Sequence, residues 1–169
     1  MQSSDLRRAA SAFRQSPVTQ ENPESDLAFI FPGQGSQFIG MGKDLADAFP
    51  AAKSIFEQVD QALGQDLSGL MWSGDIDALT LTANTQPALM AHSVAAMAAL
   101  EDAFGVSIDT ARFVAGHSLG EYSALAAAGA LTVSDTAKLL RIRGDAMQAA
   151  VPAGAGTMAA LLGASVEQA

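Results

Sequence analysis

Cysteine is absent from the 169 residues, and this one absence removes disulfides, thiolate zinc sites and a cysteine nucleophile together. It fits a reducing compartment. Long apolar runs are missing too: none reaches the ~18 residues that a membrane-spanning helix requires. The most apolar stretch, 88–100, is interrupted by His92 and Ser93. Basic residues are few, with 9 Lys and Arg against 18 Asp and Glu and a formal net charge of -9. Residues 1–25 hold 3 of each sign, so the whole excess lies in 26–169. Such a surface repels phosphate backbones, and no nucleic-acid partner is expected. An anionic ligand must instead be met by a local cation or a helix N-terminus. Histidines number 2, His92 and His117, and neither follows Ser118 in the sequence.

What is present describes a globular chain. With 49% hydrophobic and 16% charged residues, the sequence is long enough for one domain with a real core, and disordered and collagen-like classes are excluded. Residues 1–25 are read as a flexible N-terminal extension. Arg7, Arg8 and Arg14 with Leu6, Ala9, Ala10 and Phe13 at helical spacing make a mitochondrial transit peptide the alternative. Signal-peptide character is missing. The expected location is the cytoplasm, with the mitochondrial matrix as the alternative if the extension is a transit peptide.

Residues 27–31 form a short apolar run ending at Pro32-Gly33-Gln34-Gly35-Ser36, which predicts a buried strand running into a glycine-rich loop. Helices are predicted over 41–49 and 51–63, broken near Pro50 and ended by Gly64. Residues 65–82 read as loop with short helical turns. Asn84 or Thr85 is the expected cap of a helix with Pro87 in its first turn, running to about Phe104 and apolar nearly all round, hence buried. A strand at 113–115 leads to a helix over 119–128, stopped by Gly129. Thr132 and Asp135 make a capping pair for a last helix, whose inner stripe reads Val133, Ala137, Leu139, Leu140, Ile142 and Met147 and which ends before Pro152. Gly154 and Gly156 read as a linker, and 157–162 as the first strand of a new unit. Two strands leave a sheet with open edges, and the strand expected at 157–162 has no evident partner, so the chain reads as the N-terminal part of a longer protein.

The chemistry concentrates at Gly116-His117-Ser118-Leu119-Gly120, between a strand and a helix. That context makes G-x-S-x-G a nucleophile elbow: the glycines allow strand and helix to approach, and the helix directs free N–H groups at the serine. A serine hydroxyl also needs a base and an oxyanion hole. The Leu119 amide is the natural first oxyanion donor, and the Gln34 amide, flanked by Gly33 and Gly35, is the second. The same loop read alone is an ordinary turn. No metal and no cofactor is expected. His117 adjoins the nucleophile but points to the other side of the strand end, and His92 lies mid-helix, so both read as structural. In Arg141-Ile142-Arg143-Gly144, one arginine is expected in water and the other toward the sheet. A guanidinium there would suit a free carboxylate, the alternative being a surface arginine.

Four ordered segments, Phe31-Pro32-Gly33-Gln34-Gly35-Ser36-Gln37, Asn84-Thr85-Gln86-Pro87-Ala88, Gly116-His117-Ser118-Leu119-Gly120-Glu121-Tyr122 and Arg141-Ile142-Arg143-Gly144, closely resemble the malonyl-CoA:acyl carrier protein transacylases. Acyltransferase domains of polyketide synthases share most of them. The resemblance implies an α/β fold in which an α/β-hydrolase-like parallel sheet carries the nucleophile elbow and a ferredoxin-like subdomain is inserted. Residues 26–153 would form part of the first and 154–169 the start of the second. It implies transfer of a malonyl group from malonyl-CoA, a substrate rather than a cofactor, to the phosphopantetheine thiol of acyl carrier protein. Ser118 matches the nucleophile, Arg143 the partner of the malonyl carboxylate, and the Gln34 and Leu119 amides the oxyanion hole. The family's base is a histidine well downstream of the serine, and these 169 residues contain none there. By themselves they are expected to show little or no transacylase turnover; ping-pong turnover at ordinary enzyme rates would contradict this. The rival readings are a serine thioesterase or esterase, and a non-catalytic acyl-CoA-binding fragment.

Overall fold

The computed structural model describes residues 25–151 together with Gly156, Gly163 and Ser165. The expected extension, all but its last residue, and the expected strand at 157–162 lie outside the described residues. Strands β1 (Ala28–Phe31) and β2 (Phe113–Gly116) pair in parallel, with Ala28 opposite Phe113 and Phe31 opposite Gly116. Seven α-helices accompany them among the described residues: α1 (Lys43–Ala48), α2 (Pro50–Leu63), α3 (Leu67–Ser73), α4 (Ile76–Thr80), α5 (Thr82–Phe104), α6 (Leu119–Ala127) and α7 (Val133–Ala150). A 3-10 turn at Ile108–Thr110 precedes β2.

The apolar helix α5 is the centre of the molecule and packs against α2, α6 and α7. Its residues 85–91 are buried without interruption, as an all-round apolar pattern requires, and Phe56, Met71, Leu119 and Leu140 close around them. The far end emerges into solvent at Phe104. α5 starts at Thr82, earlier than its sequence suggests, so Pro87 lies within the helix and not in its first turn. The expected caps are engaged elsewhere: Asn84 Nδ2 donates to the Ala78 carbonyl and Thr85 Oγ1 to that of Leu79, tying α5 to the end of α4.

Other boundaries follow local chemistry. Gly64 ends α2 in the left-handed region at φ 60°. Thr132 Oγ1 accepts the Asp135 N–H at 3.0 Å and opens α7. Two apolar surfaces depart from expectation. β1 is buried on one face only. Ile30 is 78% exposed and its neighbour across the sheet face, Phe113, 56%, because the face they share has no cover among the described residues. On α7 the buried residues are Thr136, Ala137, Leu140 and Gly144, while Leu139 and Ile142 are exposed. The helix turns the 136, 140, 144 row toward α5, and that rotation leaves Leu139 and Ile142 outside.

Candidate active site

β2 runs through His117 and Ser118 directly into α6. Ser118 has φ 57° and ψ −115°, the one non-glycine residue with positive φ among those described. For a residue with a Cβ this conformation costs about 1–3 kcal/mol and persists only when its surroundings over-determine it. They do. A Cβ on Gly116 would collide with the Gly120 carbonyl and the Glu121 nitrogen, and one on Gly120 would collide with the Phe31 carbonyl oxygen. The two glycines thus allow α6 to sit directly on the ends of both strands. His117 N–H donates to Phe31 O at 3.1 Å, and Gly120 N–H to His117 O at 2.9 Å, which closes the turn. Ser118 is left exposed at the N-terminus of α6, where dipole and free amides are concentrated.

The loop after β1 lies against the same turn. A Cβ on Gly33 would strike His117 Nδ1, so the His117 ring is packed on that loop and is not a partner of Ser118. Gly35, at φ 109°, donates its N–H to Gln37 Oε1 at 2.8 Å, and the Gln34 side chain reaches Thr82 Oγ1 at 3.4 Å. The backbone N–H groups of Gln34 and Leu119 have no acceptor among the described residues. The Leu119 side chain is buried in the core, which anchors the first turn of α6.

A cation completes the cluster. Gly144 lets α7 cross the first turn of α5 closely, since a Cβ there would lie 2.6 Å from Ala83 Cα. That approach brings Arg143 to the serine: Nη2 donates to Ser118 Oγ at 3.0 Å and Nη1 to Gln86 Oε1 at 2.7 Å. The guanidinium also lies 5.9 Å from the centre of the Tyr122 ring. Neither arginine is the solvated one that the sequence suggested. Arg141 donates to Asn84 Oδ1 at 2.8 Å and to Gln65 Oε1, a clamp among α7, α5 and the turn before α3. Gln86 has no assigned role at the sequence level, although a glutamine inside an apolar helix is itself a signal that a buried polar partner exists.

His92 stands apart from this cluster. It packs beside Phe56 where the chain passes Gly42 without a side chain, and burial lowers its pKa from the ordinary 6.5. A partly buried neutral histidine favours folding above the unfolded pKa, and that contribution declines as pH falls through 6.5 toward the lowered folded value. Denaturant midpoints at successive pH values should therefore drop across this window for the native chain, and drop less for His92→Gln. Identical profiles for the two would show that His92 is not responsible. Among the described residues no group of three or more His, Cys, Asp or Glu is placed to hold a metal ion. No described helix is long and apolar enough to cross a membrane.

Residues 28–169 match the acyl transferase domain family. Malonyl CoA-acyl carrier protein transacylase of Bacillus subtilis (strain 168) is 53% identical over 143 residues, which are 85% of this chain and 44% of that protein. The crystal structure of acyl-carrier-protein-S-malonyltransferase from Bartonella henselae superposes with a TM-score of 0.71 at 60% identity, covering 73% of this chain and 40% of that one. A malonyl-transacylase in complex with its type II PKS acyl-carrier protein superposes with a TM-score of 0.69 at 45% identity, covering 74% and 40%. The chain thus spans less than half the length of these relatives. On the match of 28–169 and on this helix-rich α/β fold with its small parallel sheet, the chain belongs to the acyl transferase domain family.

Proposed function

We propose that this chain supplies the nucleophile, the oxyanion donors and the acyl-selecting cation of a site that transfers a malonyl group from malonyl-CoA to the phosphopantetheine thiol of acyl carrier protein, as in fatty acid synthesis. The observation that carries this is the Arg143 guanidinium 3.0 Å from Ser118 Oγ. In a malonyl thioester the carboxylate is one methylene from the carbonyl under attack. A fixed cation beside the nucleophile therefore suits that acyl group, whereas a neutral acyl chain gains nothing from it.

Ser118, on what we read as a nucleophile elbow, attacks the thioester carbonyl carbon. The oxygen becomes an oxyanion held by the Gln34 and Leu119 amides, the carbon–sulfur bond breaks, and the coenzyme A thiolate leaves. Attack of the carrier thiol on malonyl-Ser118 reverses the sequence and frees the serine. Ser118 Oγ has Arg143 as its hydrogen-bond partner, a group that only donates, so within these residues the serine proton passes to solvent water and the departing thiolate takes one up from it. The base supplied by a downstream histidine in the family has no counterpart in these 169 residues. What they hold is the half of the site that binds and is acylated. The named partner of the malonyl-transacylase complex supports acyl carrier protein as acceptor. Within this reading, 26–153 form part of an α/β-hydrolase-like subdomain, 154–169 open a ferredoxin-like one, and the protein acts in the cytoplasm.

Intact-protein mass spectrometry after hours with malonyl-CoA tests the reading. Oxyanion donors and binding alone retain a residual ~10³–10⁴-fold acceleration, enough for a slow adduct. One malonyl group on Ser118, absent from Ser118→Ala, is expected. An unmodified chain, or an adduct that survives Ser118→Ala, would overturn it.

A further inference from the structure

We propose that Gln86 is a positioning residue that sets acyl selectivity by holding one edge of the Arg143 guanidinium so that its other edge is presented to the nucleophile and to a substrate carboxylate. This rests on the malonyl-transfer reading. Gln86 is wholly buried in α5, in a run of buried residues, where a side-chain amide is tolerated only if both its ends are bonded. Both are: Oε1 accepts from Arg143 Nη1 at 2.7 Å, and Nε2 donates to Met147 Sδ at 3.3 Å. Arg143 and Met147 lie four residues apart on α7 and so occupy one face of that helix.

The chemistry of these partners leaves the amide one orientation. A guanidinium has donors and no acceptor, and a thioether accepts and cannot donate. Turned over, the amide would set its N–H groups against those of Arg143 and its oxygen against sulfur. Met147 therefore fixes Gln86, and Gln86 fixes Arg143. An arginine reaches its target through a long flexible stem, and a guanidinium that can swing would bind a carboxylate with no fixed relation to Ser118 Oγ. Pinned through Nη1, it offers Nη2 at 3.0 Å from that oxygen. The malonyl carboxylate then meets a donor whose place relative to the attacking oxygen is set before binding.

Two readouts test this. The first is the ¹⁵N spectrum of the Arg143 guanidinium in the chain without substrate, assigned by its loss in Arg143→Lys; the pinned group should give resolved Nη signals. The second is the ratio of malonyl-CoA to acetyl-CoA affinity by calorimetry. Gln86→Leu should merge the Nη signals and weaken malonyl-CoA about tenfold, with acetyl-CoA within about twofold. Gln86→Glu should keep the guanidinium held but offset its charge with a paired carboxylate, so the signals stay resolved while malonyl-CoA is weakened. Met147→Leu, a milder change that leaves Arg143 and Gln86 in place, should broaden the signals and serves if Gln86→Leu has no cooperative melting transition. Resolved signals and an unchanged affinity ratio in a folded Gln86→Leu or Met147→Leu protein would overturn the proposal. A native chain that does not prefer malonyl-CoA would instead sink the malonyl-transfer reading, and the spectra would still decide the role of Gln86.

Discussion

Arg143→Ala is expected to lower the affinity for malonyl-CoA roughly 30- to 100-fold, about 2–3 kcal/mol, while acetyl-CoA changes by less than about threefold. The size follows from the interaction lost. A guanidinium meeting a carboxylate makes charge-assisted hydrogen bonds about twice as strong as neutral ones, and this guanidinium is half-buried and fixed at both nitrogens before substrate arrives. The acetyl group has nothing to offer it, so the same substitution removes little. Arg143→Lys keeps the charge but not the fork, and a compact ammonium cannot reach Gln86 and a carboxylate at once; an intermediate loss of about tenfold is expected. Calorimetry with both thioesters decides the matter. Equal losses for malonyl- and acetyl-CoA would favour a plain thioesterase or esterase, or a purely structural arginine. The melting transition must be recorded alongside, because removing Arg143 strands Gln86 Oε1 in the core at a cost of about 1–3 kcal/mol.

The contrast between Arg143 and its neighbour Arg141 marks where sequence reading stops. The strand, turn and helix around Ser118 were legible because every cause is local: two glycines, an apolar run before and a helical run after. The Thr132 and Asp135 cap and the stop at Gly64 were legible for the same reason. The start of α5 was not, because Asn84 and Thr85 are good caps by type, yet their side chains are taken up by carbonyls at the end of α4. That competition is tertiary and leaves no trace in spacing. Leu139 and Ile142 scan as inner-stripe residues because periodicity identifies an apolar face without saying what will cover it. Both arginines of Arg141-Ile142-Arg143-Gly144 turn out to be partnered. Their difference lies in what α5 presents to each, Asn84 to one and Gln86 to the other. Gly144 is the residue that brings them there, and its role was visible only as the close passage of two helices.

Gly120→Ala should be severely destabilising, costing about 3 kcal/mol or more. The added carbon would meet the carbonyl oxygen of Phe31 and crowd that of Pro32. Both are backbone, so no rotamer change relieves the overlap and α6 must retreat from β1. Retreat stretches the 3.1 Å bond from His117 N–H to Phe31 O and removes the constraint that keeps Ser118 at φ 57°. Loss of stability and loss of the poised serine are therefore one event. Gly129→Ala provides the comparison. Gly129 has φ 71° but open space around it, so its methyl group adds conformational strain alone, about 1 kcal/mol. Denaturant midpoints should fall far more for Gly120→Ala than for Gly129→Ala, and only the former should abolish acylation of Ser118. Equal shifts at the two positions would mean that the contact of α6 with the strand ends is relieved at no more cost than ordinary backbone strain, and that it does not hold the serine in its strained conformation. An acylated, stable Gly120→Ala chain would remove the steric basis for the turn altogether.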